Sequence, residues 1–195
     1  MIYRILSITG LILAIAGSAM AQTQTWQVDP AHSAAQFSVR HLGISTVRGQ
    51  FNKLSGTVQY DPADPAKSTV EVTIDAASID TRVEMRDNDL RSANFLDVAK
   101  FPTLTFKSKR VETNGSGKLK VTGDLTIHGV AREVVLDVEG PTPEVKDPRG
   151  NPHMGAEAAI KISRKAFGVS GAAMMVGDEV SITLDVEMVK PAPVR

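Results

Sequence analysis

Most of this chain alternates apolar and polar residues with a period of two, and no other feature of the sequence constrains the fold as strongly. In residues 118–127, leucine, valine, glycine, leucine and isoleucine occupy every second position, with lysine, threonine or aspartate between them. Successive side chains of a β-strand point to opposite faces of a sheet. The pattern therefore predicts strands with one buried and one solvent-facing side.

Turn-forming residues separate the alternating segments. Asp61-Pro62, Asn114-Gly115 and His128-Gly129 each lie between two of them, and such dipeptides favour chain reversals. Residues 141–152 contain four prolines and form the longest stretch without a period. Turn signals about every 8 to 12 residues predict an all-β fold, a sandwich or barrel of about eight strands.

The alternation is interrupted by one segment, residues 80–106. Thr81 is followed three residues later by Glu84, a spacing that fits a capping box at a helix start. Pro102 lacks a backbone donor and ends the excursion. We expect a short helical segment near residues 81–96, with one apolar and one charged face, that caps one end of the β structure.

Residues 1–21 have the organisation of a secretory signal peptide. Arg4 precedes an apolar run from Ile5 to Ala16, and Ala19-Met20-Ala21 supplies a small-x-small cleavage site. The run is shorter than the roughly 20 residues of a membrane-spanning helix. We expect one mature domain, residues 22–195, exported to the periplasm and without a stable membrane span after cleavage. Full secretion beyond the periplasm stays open.

Composition argues against several classes of function. The chain has 22 basic and 22 acidic residues and so lacks the basic excess of nucleic-acid-binding proteins. It has no cysteine, which excludes disulfides, thiol nucleophiles and thiolate metal sites. The four histidines are scattered without ligand spacing, and no glycine-rich phosphate loop is present. We expect no nucleic-acid partner, no metal and no cofactor.

The sequence gives little support to catalysis. Asp29, His32 and Ser33 are the residue types of a nucleophilic triad, but no G-x-S-x-G elbow accompanies them. We expect no catalytic residue. A secreted hydrolase or isomerase that uses His32, Ser33 or His41 stays as an alternative.

Strand parity indicates which side chains face the interior. Phe37, Val39 and His41 share one face, where His41 is either an ordinary core residue or a hydrogen-bonding partner of a ligand. Small residues on presumed inward faces favour a cavity, although a glycine in a strand also marks bulges; they are Gly49, Gly56, Gly123, Ala156 and Ala158. A solid-core protein that binds a partner through an edge strand or through the loop after residue 140 is a further alternative.

Several separated motifs occur together in this chain. They are W-x-V-D-P-A-H-S from Trp26, V-R-G-Q-F from Val47, R-D-N-D-L-R-S-A-N-F-L-D-V-A-K-F-P from Arg86, G-D-L-T-I-H-G-V from Gly123, and V-G-D-E-V from Val176. In this order they resemble the YceI-like family of secreted polyisoprenoid-binding proteins. The resemblance implies an extended, lipocalin-like antiparallel β-barrel whose pore holds a long isoprenoid, such as a quinone or polyprenyl carrier, for binding or transport without catalysis.

On this basis we predict a lipid site with an apolar and a polar part. Asp89 stands where the family pattern has a histidine, which favours a quinone or amide head group over an acidic one. Whether the chain forms a homodimer stays open. The polar head is expected to meet some of His41, Arg82, Arg86 and Asp87. The tail is expected to lie against Phe37, Val39, Phe51, Leu90, Phe95, Phe101, Leu104, Phe106, Phe167, Met174 and Met175.

Overall fold

The computed structural model describes residues 23–190; the predicted signal peptide, residues 1–21, lies outside them. The described chain contains one α-helix, α1 (Glu84–Arg91), and twelve strands. The strands are β1 (Gln24–Val28), β2 (Ala34–His41), β3 (Ser45–Phe51), β4 (Leu54–Tyr60), β5 (Thr69–Asp75), β6 (Ile79–Asp80), β7 (Thr103–Thr113), β8 (Lys118–Ile127), β9 (Val130–Glu139), β10 (Val145–Lys146), β11 (Pro152–Ser163) and β12 (Val176–Val189).

Eight of these strands close into an antiparallel barrel. Hydrogen bonds join neighbours in the order β11-β9-β8-β7-β5-β4-β1-β12, and β12 pairs back with β11 from His153↔Val189 to Ser163↔Glu179. The period-two pattern arises because each wall strand turns one face to the interior and one to solvent. The predicted all-β barrel of about eight strands with one short helix is confirmed.

The fourteen-residue strand β12 has two successive partners on one of its sides. Val28 pairs with Met188 near the end of the barrel that we call the upper end. Below the connection 29–33, β2 takes over, with Ala35 opposite Leu184. β3 pairs with β2, and β6 pairs with β3. These strands extend the wall towards the lower end, where α1 lies.

The segment between β6 and β7 closes the lower end. Leu90, Phe95 and Leu96 pack into a core with Leu104 and Phe167. The prediction of a helical cap at one end is therefore confirmed. As predicted, the excursion ends at Pro102, because β7 begins at the next residue.

The predicted capping box is wrong. Helix α1 begins at Glu84, and its N-cap residue, Val83, makes no side-chain hydrogen bond to the first turn. The Thr81 hydroxyl instead donates to the Asp87 carboxylate. The helix also ends at Arg91, short of the predicted residue 96, because residues 92–101 form turns. Thr81 is thus tied to the buried side of the helix rather than to its first amides.

Two predicted turns join neighbouring strands. Asn114-Gly115 connects β7 to β8, and His128-Gly129 connects β8 to β9. His128 and Gly129 both have positive φ angles, 52° and 73°, as a two-residue hairpin of the type I′ class requires.

Two inward glycines serve close packing rather than open space. A Cβ atom on Gly123 would lie 2.7 Å from the Phe106 ring, and one on Gly49 would lie 2.5 Å from the Phe37 ring. Aromatic rings therefore occupy the room that these glycines leave. The argument that these two positions enlarge a cavity is wrong.

Candidate ligand cavity

The barrel encloses an apolar cavity of about 290 Å³. Its lining comes from the inward faces of the wall strands and from the lower cap, and consists mainly of valine, isoleucine, leucine, phenylalanine and methionine side chains. Apolar cavities of this kind stay free of ordered water and accept apolar ligands. The cavity can hold a hydrocarbon chain without any chemical step.

Eight of the expected tail residues lie in the lining. These residues come from β2, β3, β7, the lower cap and the turn after β11, and the barrel brings them around one space. Their contact with a ligand stays a prediction. The eight are Phe37, Val39, Phe51, Leu90, Phe95, Leu104, Phe106 and Phe167.

Three other expected tail residues lie outside the lining, and their predicted placement in the pore is corrected. Phe101 packs against the His128 ring, with ring centroids 4.5 Å apart. Met174 and Met175 are 97% and 50% exposed. All three belong to connecting segments rather than to strands, so parity did not apply to them.

The expected head-group residues also lie outside the lining. Arg86 donates from Nε to the Thr81 hydroxyl at 2.7 Å and from Nη2 to the Thr81 carbonyl at 2.9 Å. Asp87 is buried and accepts the Thr81 amide at 2.9 Å. Arg82 is exposed. The Thr81–Arg86–Asp87 network therefore holds the lower cap in place, and its groups already have partners.

His41 lies outside the lining because it stands at the end of its strand. It is half-buried at the lower end of β2, opposite Val176, and is not part of the lining. The pairing of β2 with β3 keeps a regular register from Ala35↔Phe51 to His41↔Ser45, and the register shift against β12 falls within β12, between Val176 and Val180. His41 therefore shares the face of Phe37 and Val39, but it is the last residue of β2 and lies beyond the cavity lining.

Arg164 is a lining residue that sequence reasoning missed. It is only 6% exposed, and its guanidinium donates to the carbonyls of Gly177 and Val176 and, through Nη1, to those of Val169 and Gly171. Burial lowers the pKa of Arg164, and nearby Asp178 opposes that effect; arginine stays charged nonetheless. A lone arginine has no spacing signal, so the sequence offered no way to find it.

The upper end is closed by the chain's one tryptophan. Trp26 is fully buried and packs with Met154 and Met188. The Lys190 ammonium lies 4.7 Å from the centre of the Trp26 ring and 2.6 Å from a Glu144 carboxylate oxygen. Glu144 belongs to the proline-rich loop, so this loop and the end of β12 together cover the tryptophan.

The residue types suggested for catalysis are arranged as structural partners. His32 Nδ1 lies 2.8 Å from Asp29 Oδ2. The Ser33 hydroxyl donates to the Glu187 carbonyl at 3.2 Å and accepts the Glu187 amide at 3.0 Å. Ser33 is thereby held by backbone groups of β12.

Comparison with known proteins decides the family. A model of the YceI-like domain matches residues 26–188. The chain belongs to the YceI-like family. The predicted resemblance is thus confirmed over nearly all of the described chain.

Relatives of this YceI-like chain are found in several bacteria. It is 37% identical to a UPF0312 protein of Vibrio cholerae over 173 residues, which cover 88% of this chain and 91% of the relative. It is 36% identical to a UPF0312 protein of Azotobacter vinelandii over 181 residues, with 93% and 94% covered.

Solved structures share the YceI-like barrel. BcnA of Burkholderia cenocepacia superposes with a TM-score of 0.73 at 29% identity, covering 82% of this chain and 98% of BcnA. The YceI protein of Campylobacter jejuni gives 0.70 at 34% identity, with 78% and 90% covered. A polyisoprenoid-binding domain from Saccharophagus degradans gives 0.65 at 14% identity, with 87% and 100% covered, and shows likeness of fold alone.

Within residues 23–190, no helix is both long enough and apolar enough to cross a membrane.

Proposed function

We propose that this YceI-like protein binds and carries a long-chain isoprenoid or similar amphiphilic lipid, such as a quinone or polyprenyl carrier, in the periplasm and without catalysis. The observation that carries the proposal is the apolar cavity inside the closed barrel. The Saccharophagus degradans neighbour, which shares this fold, is described as a polyisoprenoid-binding domain. The periplasmic location rests on the signal-peptide pattern of residues 1–21.

The lining determines what kind of ligand fits. Burial of hydrocarbon contributes about 0.8 kcal/mol per CH₂ group, so one five-carbon prenyl unit would contribute roughly 4 kcal/mol. The guanidinium of Arg164 is the one buried cation of the lining, and it is already bonded to four carbonyls. A tail therefore supplies most of the affinity, and an uncharged head such as a quinone or amide suits the cavity better than an anion.

The same observations bear on the alternatives. A hydrolase needs a nucleophile within reach of its base, whereas Ser33 is bonded to backbone groups of Glu187 and His32 to Asp29. A solid-core protein would have no cavity of this size. Both observations favour a carrier.

Copurification tests the proposal. The protein would be expressed with its leader, purified without detergent, extracted with organic solvent and analysed by mass spectrometry. We expect about one equivalent of a prenyl lipid or quinone for each protein chain. An empty extract, from a protein that also takes up no added prenyl lipid, would refute the carrier function.

Two variants and one matched control locate the site. Phe106→Glu places a charge in the lining, and Ala158→Leu narrows the cavity without adding a charge; both are expected to reduce lipid retention. Val135→Glu makes the acidic change on an exposed side chain of the neighbouring wall and should retain lipid. Full retention by both lining variants would show that the lipid binds elsewhere.

A further inference from the structure

A cluster of two imidazoles and two carboxylates lies on the outer face of the barrel at its upper end. Asp29, His32 and Glu187 each present a ligand atom, and these atoms all lie within 4.8 Å of one another. His153 Nδ1 lies 2.7 Å from Glu187 Oε1. The cluster is separate from the lipid cavity because Met188 lines the cavity, and its neighbour Glu187 therefore faces the opposite side of the wall.

We propose that Asp29, His32 and Glu187 form a binding site for a divalent transition-metal ion of the zinc type, with His153 orienting Glu187. This revises the expectation of no metal, which rested on the scattered positions of the histidines in the sequence. Ser33 and Glu187 are 154 positions apart yet hydrogen-bonded. The barrel closure therefore creates a cluster that no local spacing could reveal.

The backbone of the site is already fixed. The Asp29 amide donates to the Glu187 carbonyl at 2.8 Å, and the Ser33 hydroxyl bonds to both backbone groups of Glu187. Asp29 Oδ1 accepts the Ala31 amide at 2.8 Å, which leaves Oδ2 to face His32. The side chains that would hold the ion thus start from positions that folding has set, so little ordering would be needed on binding.

The distances suit zinc after small side-chain movements. Zn²⁺ binds imidazole nitrogen and carboxylate oxygen at about 2.0 to 2.2 Å, which places ligands of a tetrahedral site about 3.3 Å apart. His32 Nδ1 and Asp29 Oδ2 are 2.8 Å apart, so they would separate slightly to admit the ion. His32 is 64% exposed, which gives the ion a route from solvent.

The ligand types select the class of metal. Calcium and magnesium prefer all-oxygen sites, whereas an imidazole nitrogen beside two carboxylates suits zinc and its neighbours in the transition series. The hydrogen bond from His153 to Glu187 resembles the outer-shell contacts that orient ligands in known zinc sites. A bound ion would join the 29–33 connection to β12, where the wall changes its partner strand from β1 to β2.

Calorimetric titration of the untagged, leader-processed protein with zinc chloride tests the site. We expect one equivalent of zinc to bind, with a rise in melting temperature, and neither calcium nor magnesium to bind there. His32→Ala and Glu187→Gln should each weaken zinc binding by about tenfold or more, and His153→Gln by a similar factor. Asp29→Asn keeps the Oδ1 acceptor for Ala31 while removing the charge, and should also weaken binding.

The matched control removes a histidine elsewhere. His128→Asn takes away the imidazole at the β8–β9 turn, and asparagine tolerates the positive φ angle of that position; zinc affinity should be unchanged. An absence of zinc binding would overturn the proposal. Zinc binding that persists at full strength in folded His32→Ala and Glu187→Gln proteins would mean an adventitious ion only and would overturn it as well. Circular dichroism of each variant verifies the fold.

Discussion

Arg164→Met should strongly destabilise the barrel, although methionine fills a similar volume. The guanidinium donates four hydrogen bonds of 2.8 to 2.9 Å to main-chain carbonyls of residues 169–177. One of these bonds is buried and three are part-buried, so water can replace some of the lost donors. At about 1 kcal/mol for each carbonyl left without its donor, the loss is about 4 kcal/mol.

A loss of this size is measurable against a total stability of about 5 to 15 kcal/mol. For a chain of 195 residues, it corresponds to a fall in melting temperature of roughly 8 to 16 °C. Urea unfolding followed by fluorescence of Trp26, which lies at the other end of the barrel, reports global rather than local unfolding.

Two further arginine substitutions complete the experiment. Arg40 is exposed and donates to the Thr46 hydroxyl and the Gly43 carbonyl, so Arg40→Met should cost no more than about 1 kcal/mol. Arg164→Lys keeps the charge on one nitrogen that cannot reach all four carbonyls, and should have intermediate stability. Equal stability of Arg164→Met and Arg40→Met would refute the conclusion that the Arg164 guanidinium holds residues 169–177 in place.

Three other predictions concern separate parts of the fold. Gly123→Ala should lose about 1 to 3 kcal/mol of unfolding free energy because its Cβ would clash with the Lys107 carbonyl oxygen and the Phe106 ring, whereas Gly155→Ala, whose Cβ would lie 3.7 Å from its nearest neighbour, the Thr142 methyl group, should be nearly neutral by urea titration. The backbone amide of Lys165 and a serine hydroxyl hold the pKa of Asp178 below its usual 3.8. That stabilisation is present above pH 3.8 and lost as the pH falls through the folded-state pKa, so Asp178→Asn should be less stable than the parent at neutral pH and approach it in acid; a constant difference would exclude this origin. Thr81→Val removes the hydroxyl that bonds to the buried carboxylate of α1 and should increase amide hydrogen exchange in α1 while leaving the wall strands protected; uniform exchange changes would argue against a separately held cap.

The barrel and much of its lining were predictable because strand alternation is a local property. Phe37 and Phe106 face inward because every second side chain of a strand points to the same face, and this is also why the sequence pattern has a period of two. His41 keeps this alternation but lies outside the lining, because alternation gives the face of a side chain and not how far along the barrel the cavity extends. Met174 was wrongly placed in the pore because loop residues have no period.

The polar features were harder to predict, since they depend on which strands meet. Arg164 donates to main-chain carbonyls of residues 169–177. Every residue type has a main-chain carbonyl, so the sequence does not show where these acceptors lie. The cluster around Asp29 and Glu187 exists because β12 returns to the first strand of the described chain. Thr81 and Glu84 illustrate the opposite error, in which a familiar local spacing was present but the hydroxyl bonded to Asp87.

The pairing of β12 with β1 and β2 also sets the order of events during synthesis. Ala35 lies opposite Leu184, and Val28 lies opposite Met188, so the wall cannot close until the last strand has left the ribosome. Contacts that join distant parts of a chain form slowly because the loop between them must first be closed. The nascent protein must therefore remain open, with its apolar interior unsealed, until β12 has been synthesised. Any factor that shields it during that interval has to act on the unclosed sheet.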